Sequence, residues 1–478
     1  GRPPWTIMVG LSFAGMIVAM MQTLVVPIIG LIQHNLGASA SGVSWVITAN
    51  LLAAAVMTPL LGRYGDQHGK RKVLLACLVM MLGGSLLAAL TSSLALLILA
   101  RVLQGAAAGI FPLAISVVRD EISAEKLPTN MAIISATLSV GGGIGLVATG
   151  LLTTGGDDYH NVFWLATALS AIALVGVFLL VPDPRTTSPG RTDVLGALTL
   201  GAALILLLMP LSQGNSWGWG SPAVVGGLIG AVVMVAVWAL VERRVHDPLV
   251  DMTMFLHRPV LITNIAGLLL GFAMFGQFLG MAELVQIPPE LAGYGFGASV
   301  LKASVLYLLP GALLGVIAAP LGGQLIGRIG ARMVLAIGTL IGAVSFTSFA
   351  AFHQQPWQVI AAGMGSSIAI AFAYAAMPAL IVAAVPISQT GIANGINAIS
   401  RSVGSSIAGA AIATILAARH ITNTPAGVPA IPAESGFVAA FVISAVCCAI
   451  ACAVVLLGLP KHRAAAATPA RALTVALV

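Results

Sequence analysis

Long apolar segments, separated by short polar stretches, dominate the hydrophobic pattern of this chain. Most of these segments extend over about 20 residues, the length at which an α-helix crosses the hydrocarbon core of a bilayer. Within them the apolar residues are continuous rather than alternating, which favours helices over the strands of a membrane barrel. The fourteen predicted spans cover residues 6–30, 43–61, 73–92, 95–118, 129–152, 162–182, 194–212, 222–242, 259–287, 299–321, 333–352, 357–382, 390–417 and 436–459.

Composition agrees with this pattern. Hydrophobic residues make up 59% of the 478 residues, charged residues make up 7%, and the mean hydropathy is +1.05. Soluble domains contain about 25% charged residues, so the predicted fold class is an all-α polytopic membrane protein. The four cysteines lie within apolar segments, where packing is their expected role. No residue cluster suggests a metal, a cofactor or a hydrolytic triad, so an enzyme is not expected.

The 21 Lys and Arg residues are distributed unevenly among the predicted loops. With a cytoplasmic N-terminus and an even number of spans, 17 of the 21 fall in cytoplasmic segments. Lys302 and Arg419 then lie outside, and Arg101 and Arg401 lie within spans. Loops rich in Lys and Arg remain on the cytoplasmic side, which predicts this orientation. The net charge of +7 therefore reflects loop anchors, and nucleic acid is not an expected partner.

The segment Gly62–Leu74, between the second and third spans, combines four cations, three glycines and the acid Asp66. It resembles the signature loop of the major facilitator superfamily, G-x-L-x-D-R-x-G-R-K. The matching residues are Gly62, Asp66, Gly69, Lys70 and Arg71. In that family the acid lies beside a helix N-terminus and locks the outward-facing state. The resemblance thus implies a conformational latch at Asp66, with Arg119 and Asp120 as partners; the alternative is an ordinary basic loop.

A second segment, Gly323–Arg332, looks like a copy of this loop, with Gly327 in place of the carboxylate. Two copies indicate two six-helix halves related by an internal repeat. Spans seven and eight are then an inserted pair, an arrangement that resembles the fourteen-span multidrug:proton antiporters. The predicted regions are an N-terminal six-helix bundle (1–183), an inserted helix pair with linkers (184–257), a C-terminal six-helix bundle (258–460) and a cytoplasmic tail (461–478).

The fourth span contains a motif similar to one in these antiporters. Arg101, Gln104 and Gly105 resemble R-x-x-Q-G, whose arginine faces the central cavity and is implicated in proton transfer. A guanidinium in hydrocarbon is costly, so this side chain should face protein or a wet cavity whatever the family. The alternative is that Arg101 extends to the outer surface along its apolar stem.

The fifth span contains Gly141, Gly145 and Gly150, which resemble the antiporter motif G-x-x-x-G-P-x-x-G-G. Leu146 replaces the proline and Thr149 replaces a glycine. Small residues at this spacing permit close helix packing, and we expect them at the interface between the halves. Because the motif is associated with antiporters, it favours export.

The first span departs from the antiporter pattern. Met21 occupies the position of an aspartate, so the usual first-helix carboxylate for proton or cation handling is missing. Of the 14 acidic residues, only Glu283 lies inside a span rather than in a loop or at a helix end. The superfamily's fourth and ninth helices line the cavity, so Glu283 and Arg101 are predicted to meet and couple transport to protons. The alternative places Glu283 at the outer headgroups, ahead of Pro288.

Arg401 lies in the thirteenth span, in a stretch similar to the family's N-x-x-R-x-x-G run. It is expected to bond to carbonyls or polar side chains at the interface between the halves, in a structural role. Six further polar residues could line a substrate pathway, and each could instead form an interhelical hydrogen bond. They are Gln22, Asn50, Gln104, Asn264, Gln277 and Tyr374.

These features predict a proton-driven secondary transporter in a bacterial cytoplasmic (inner) membrane that exports hydrophobic or amphipathic molecules by alternating access. The 17 methionines and 15 phenylalanines indicate an apolar cavity for neutral, lipophilic or weakly anionic cargo near Arg101. Expected partners are the lipid bilayer, a small lipophilic substrate and protons, and the chain is expected to act as a monomer. Two alternatives are an uncoupled facilitator or lipid translocator, which Met21 permits, and a substrate-responsive sensor without transport.

Overall fold

The computed structural model describes residues 3–25, 28–38, 40–123, 125–153, 158–182, 193–419, 421 and 431–460. Within these ranges it contains 14 helices that are long and apolar enough to cross a membrane, which confirms the predicted class. Hydrocarbon offers no partners to backbone amides, so continuous apolar segments satisfy them internally by forming helices. The predicted tail, 461–478, and positions 183–192 of the first linker lie outside the described residues.

The spanning helices are numbered here in chain order. The first seven are α1 (Pro4–Thr23), α2 (Ala40–His68), α3 (Lys70–Leu90), α4 (Leu94–Glu121), α5 (Leu127–Thr153), α6 (His160–Leu180) and α7 (Val194–Trp217). The others are α8 (Pro222–Glu242), α9 (Arg258–Gly276), α10 (Leu309–Ile329), α11 (Ala331–Ala351), α12 (Pro356–Ala384), α13 (Thr390–Ala418) and α14 (Glu434–Gly458). A π-helical turn, Gln277–Met281, extends α9 into a last short helix, Ala282–Gln286.

The predicted basic loop between the second and third spans is a single residue. Helix α2 continues to His68 and α3 begins at Lys70, so Gly69 alone turns the chain, at φ +106°. Gly330, at φ +85°, makes the same connection between α10 and α11 in the predicted second copy. Such backbone angles strain residues that carry a Cβ atom. Gly62, which was expected to help form the turn, instead lies within α2, where its backbone packs against Gly391.

Two apolar cores organise the helices. The first is built from α1–α6, called here the first bundle, and includes Leu11 and Phe163. The second is built from α9–α14, called the second bundle, where the rings of Phe349 and Phe441 stack at 4.9 Å. Helix α5 also contributes Ala132 to the second core, so this helix lies between the bundles.

Helices α7 and α8 pack against each other, and α7 contacts both α2 of the first bundle and α13 of the second. Leu204 and Trp238 join a smaller core with residues of α12 and α13, including Ile381 and Ile392. Glu242, at the end of α8, accepts hydrogen bonds from Trp238 Nε1 (2.8 Å) and from the amide of Val250 (3.1 Å). These two bonds hold the segment after α8 against the helix end.

Helices α9 and α13 approach each other closely at Gly404. A Cβ atom on Gly404 would overlap the carbonyl oxygen of Leu268, which is backbone and cannot move aside. We therefore expect Gly404→Val to lower the stability by about 1–3 kcal/mol or more, as overpacking does. The measurement is the midpoint of thermal unfolding in detergent. Gly226→Val in α8 is the control, since that position faces open space, and equal midpoints would contradict the prediction.

Candidate functional site

Arg101 is fully buried inside the first bundle. Its Nε donates to the carbonyl of Val46 (3.1 Å), and one terminal nitrogen donates to the carbonyl of Met21 (2.9 Å) and to Gln104 Oε1 (2.6 Å). Asn50 Nδ2 in turn donates to the Arg101 carbonyl (3.1 Å). The guanidinium thus joins α1, α2 and α4 through neutral oxygens, and no carboxylate contacts it among the described residues.

This arrangement corrects two sequence-based expectations. Arg101 neither extends to the surface nor faces a cavity, because its side chain has no exposed area. Asn50 and Gln104, proposed as cavity residues, belong to its hydrogen-bond network, in which Gln104 Nε2 also donates to Ser85 Oγ (3.0 Å). Met21, which replaces the family aspartate, accepts a hydrogen bond from Arg101 through its backbone carbonyl, so this position of α1 lies beside the arginine.

Glu283 lies in the second bundle and does not meet Arg101. Burial raises the pKa of Tyr294 to about 12, and the charges of Glu434 and Glu283 add to this effect. Tyr294 is fixed by donating to the carbonyl of Pro432 (2.5 Å). Glu283 itself is half-buried and has no hydrogen-bond or ion-pair partner within the described part of the chain.

Arg401 lies between the two bundles. Its guanidinium carbon is 4.9 Å from the ring centroid of Tyr374 in α12 and 5.7 Å from that of Phe111, a residue of α4 in the first bundle. One terminal nitrogen donates to Asn397 Oδ1, one turn earlier in α13. The interface position was predicted from the sequence, but this contact with the first bundle was not, since nothing in either helix alone pairs Phe111 with Arg401.

The remaining polar candidates are placed differently. Asn264 is buried beside Arg401's partner, because its Oδ1 accepts from Asn397 Nδ2 (3.1 Å). Gln277 is buried near Gly363 and Ser367 of α12, each 3.4 Å from its Nε2. Gln22 is exposed and has no such partner in the described residues. Only Asn264 and Tyr374 therefore share a location with a buried charge outside the Arg101 network.

Asp66 is buried near the end of α2, at the end of the molecule where α2 meets α3, called here the basic end. Its Oδ1 accepts from Ser116 Oγ of α4 (3.1 Å), and its Oδ2 accepts from the amide of Gly391 (3.0 Å). Gly391 lies in the first turn of α13, where a carboxylate is favoured by free amides and the helix dipole. This bond connects the first bundle to the second.

Lys70 and Asp120 complete the surroundings of Asp66. The buried Lys70 Nζ is 2.5 Å from Asp120 Oδ2 and 3.9 Å from Asp66 Oδ1. One ammonium group therefore balances two carboxylates that would otherwise repel each other. Asp120, expected as a partner of Asp66, shares the Lys70 ammonium with it.

Arg119 makes a second connection between the bundles at the basic end. It donates to the carbonyls of Val385 (3.1 Å) and Pro386 (3.3 Å) and to Thr390 Oγ1, all at the connection between α12 and α13. Arg71, expected in the same group, instead donates to the carbonyl of Phe178 in α6 (2.7 Å) and remains within the first bundle. Asp66, Lys70, Ser116, Arg119 and Asp120 are called the basic-end cluster below.

The glycines of α5 serve two different contacts. Gly141 and Gly145 lie against the backbone of α1, at Met16 and Met20, so they pack helices within the first bundle rather than between bundles. Gly150 lies against Leu301, ahead of α10, and is the one member of the motif at the interface between bundles. The spacing predicted close packing but could not identify the partner helix.

Fold and sites together define a polytopic membrane transporter built from two helical bundles, whose polar side chains join the bundles at one end and in the interface. No group of three metal-ligating side chains occurs in the part of the chain that the structure describes. A profile of the Major Facilitator Superfamily matches residues 11–316 and, in a second match, residues 270–478. The chain belongs to this superfamily.

Several known proteins are similar to it. The tetracenomycin C resistance and export protein of Streptomyces glaucescens is 27% identical over 429 residues, which cover 88% of this chain and 77% of that protein. A triacylglyceride transporter of Mycolicibacterium hassiacum is 29% identical over 421 residues, covering 81% and 75%. The crystal structure of the human organic anion transporter MFSD10 (TETRAN) aligns with a TM-score of 0.66 at 16% identity, covering 95% of this chain and 100% of the other, which supports the fold.

The bond from Gly391 to Asp66 leads to a testable prediction. Asp66→Asn removes the charge that Lys70 and the α13 amide stabilise, and a charge-assisted bond contributes about 1.5–3 kcal/mol. We expect the bundles to separate more often at the basic end. A cysteine at the buried interface position Thr58, in a variant without native cysteines, should then react with a water-soluble maleimide about tenfold faster, which corresponds to about 1.4 kcal/mol.

A glycine pair supplies a matched control. A Cβ atom on Gly391 would lie 2.7 Å from Asp66 Oδ2 and 2.7 Å from the Gly62 carbonyl, so Gly391→Ala should have the same effect as Asp66→Asn. Gly327, the counterpart of the acid in the second copy, faces open space, and Gly327→Ala should leave the labelling rate unchanged. Equal rates in all four proteins would contradict the prediction.

Proposed function

We propose that this chain is a fourteen-span multidrug:proton antiporter of a bacterial cytoplasmic membrane. It exports hydrophobic or amphipathic small molecules by alternating access, with the basic end facing the cytoplasm. The observation that carries the proposal is the chemistry of the contacts between the bundles at that end. Asp66 and Arg119 join the bundles by polar bonds to Gly391, Val385 and Pro386, whereas the two apolar cores are formed mainly by separate bundles.

Polar contacts of this kind can break and reform while both cores stay intact. When the bundles separate, water replaces the lost hydrogen-bond partners. The net free-energy cost of opening is therefore far smaller than the summed energies of the broken bonds in isolation. Separation of the apolar cores would by contrast expose buried side chains at about 25 cal/mol per Å². The basic end is therefore suited to opening and closing as a unit, which alternating access requires.

Contacts between the bundles near the opposite end use small residues. Gly150 lies against Leu301, and a Cβ atom on Gly143 would be 3.1 Å from Ala312 of α10. Such smooth surfaces can slide or part without losing hydrogen bonds. The similarity to a protein named for tetracenomycin C resistance and export supports the outward direction of transport.

Glu283 is the residue that we propose to couple transport to protons. It is half-buried beyond the π-helical turn of α9, and no protein partner balances its charge within the described residues. A carboxylate in such surroundings takes up and releases a proton at smaller cost than one held in an ion pair. The acids of the basic-end cluster are less suitable, because both lie within 4 Å of the Lys70 ammonium and are engaged in ion pairs.

An uncoupled lipid translocator is the second candidate. Met21 removes the first-helix acid, and Arg101 is satisfied by backbone and amide oxygens, so neither supplies a titrating pair in the first bundle. The similarity to a protein named a triacylglyceride transporter points the same way. In this case the same conformational cycle would proceed without proton movement.

Proton flux in proteoliposomes separates the two candidates. A neutral lipophilic fluorescent dye such as Nile red serves as cargo, and a second dye inside the vesicles reports pH. The antiporter predicts that an imposed pH gradient drives dye movement and that Glu283→Gln lowers this driven flux at least tenfold, because glutamine cannot carry a proton. Dye binding should survive in the mutant.

Glu290→Gln is the control, since Glu290 is exposed and lies seven residues beyond Glu283 in the same connection. It should leave driven flux unchanged. Driven flux that persists in Glu283→Gln would exclude Glu283 as the coupling residue. Flux that ignores the pH gradient in the wild-type protein would favour the uncoupled translocator.

A further inference from the structure

Arg401 is surrounded by groups that stabilise a cation without neutralising it. Tyr374 from the second bundle and Phe111 from the first present their rings to its guanidinium at 4.9 and 5.7 Å. Cation–π contacts of this kind favour the charged form of an arginine. Among the described residues no carboxylate contacts Arg401, so its positive charge is left without a counter-charge between the bundles.

The hydrogen bonds around Arg401 leave the side-chain amide nitrogen of Asn264 without an acceptor. Asn397 Oδ1 accepts from Arg401, and Asn397 Nδ2 donates to Asn264 Oδ1 at 3.1 Å. This order directs the amide oxygen of Asn264 toward Asn397, and Asn264 Nδ2 remains buried with no acceptor. A buried amide group without a partner costs about 1–3 kcal/mol, so its presence points to an acceptor that is absent from the protein.

A comparison with Arg101 shows that the missing partners are a feature of the Arg401 cluster and not of every buried arginine in this protein. Both arginines lie inside spans, but Arg101 donates to three oxygens of α1, α2 and α4 and has no exposed area. Arg401 donates to the Asn397 amide oxygen and the Tyr374 hydroxyl, both within the second bundle, and retains 8% of its surface, in contact with both bundles. A guanidinium has five N–H donors in a fixed fork that suits the oxygens of carboxylates and similar anions.

The surroundings of this cluster are apolar and adaptable. The Tyr374 hydroxyl is 2.8 Å from the sulfur of Met274, and the Met377 sulfur lies 3.6 Å from where a Cβ on Gly267 would be. Methionine and aromatic side chains accommodate varied apolar shapes. The cluster therefore offers a cationic centre beside a surface for lipophilic groups.

We propose that Arg401 and Asn264, with Tyr374 and Phe111, bind the anionic oxygen group of an amphipathic substrate at the interface between the bundles. The inference rests on the proposed transport function and narrows its substrate class to lipophilic molecules that carry a carboxylate, phenolate or similar oxygen anion. Because Phe111 belongs to the first bundle and Arg401 to the second, a bound anion contacts both and responds to their separation.

Binding of two matched probes tests the proposal. The probes are 4-(1-pyrenyl)butyrate and a pyrenylbutyl trimethylammonium cation, which share the apolar part and differ in charge. Binding to the full chain in nanodiscs is measured by pyrene fluorescence. The wild-type protein should bind the anion at least tenfold more tightly than the cation. Arg401→Met should abolish this preference, and Arg328→Met, at an exposed position, should retain it.

Two further variants keep the test decisive if Arg401→Met folds poorly. Arg401→Lys preserves the charge and should retain at least part of the preference. Asn264→Asp introduces a carboxylate into the cluster and should remove the preference while Arg401 is still present. A preference that is absent in the wild-type protein, or that persists in Arg401→Met and Asn264→Asp, would overturn the proposal.

The result of the binding test does not depend on that of the proton-flux test, because binding is measured without transport. Anion preference lost in Arg401→Met supports the site even if proteoliposomes show no flux. Flux of a neutral or cationic dye with no anion preference at equilibrium would preserve the transporter and overturn the site.

Discussion

A polar group in hydrocarbon must find its partners within the protein, and the placement of the charged side chains here follows from that constraint. Arg101 meets it completely, through carbonyls and an amide of three helices in the first bundle. Asp66 meets it with Ser116 and Lys70 in its own bundle and, in addition, with the Gly391 amide from the second bundle. Arg401 meets it in part, at the interface itself. A buried polar side chain that finds all its partners within one bundle has a structural role. One that lacks a partner there responds to a conformational change or to a bound ligand.

The basic-end cluster illustrates how such a constraint can serve a conformational change. Lys70 holds Asp66 and Asp120 within the first bundle, so these charges remain paired whether or not the second bundle is near. The bonds that cross the interface at this end include those from the Gly391 amide to Asp66 and from Arg119 to the carbonyls of Val385 and Pro386 and to the Thr390 hydroxyl. Opening at this end therefore exposes these groups to water, which can solvate them. It leaves no unpaired charge in hydrocarbon.

The length of the apolar segments was enough to predict all fourteen spanning helices within the described residues, because span length depends only on the local sequence. The one-residue turn at Gly69 was harder to locate, since polar residues such as Arg63 continue α2 beyond the apolar run. The hydrophobic pattern could not predict which helices, distant in the sequence, pack against each other. The position of a residue along a span gives its depth in the membrane but not its neighbour across the interface, which is why Arg101 was expected to meet Glu283.

Distances between spin labels at the two ends of the molecule test most directly whether the bundles alternate. One pair is placed at the exposed positions Glu121 and Ile387 at the basic end, and another at Leu151 and Leu291 at the opposite end, in a protein without native cysteines. Alternating access predicts two populations whose distances change in opposite directions at the two ends, with Asp66→Asn favouring the state that is open at the basic end. A single distance at both ends, unchanged by pH, substrate or Asp66→Asn, would contradict this account.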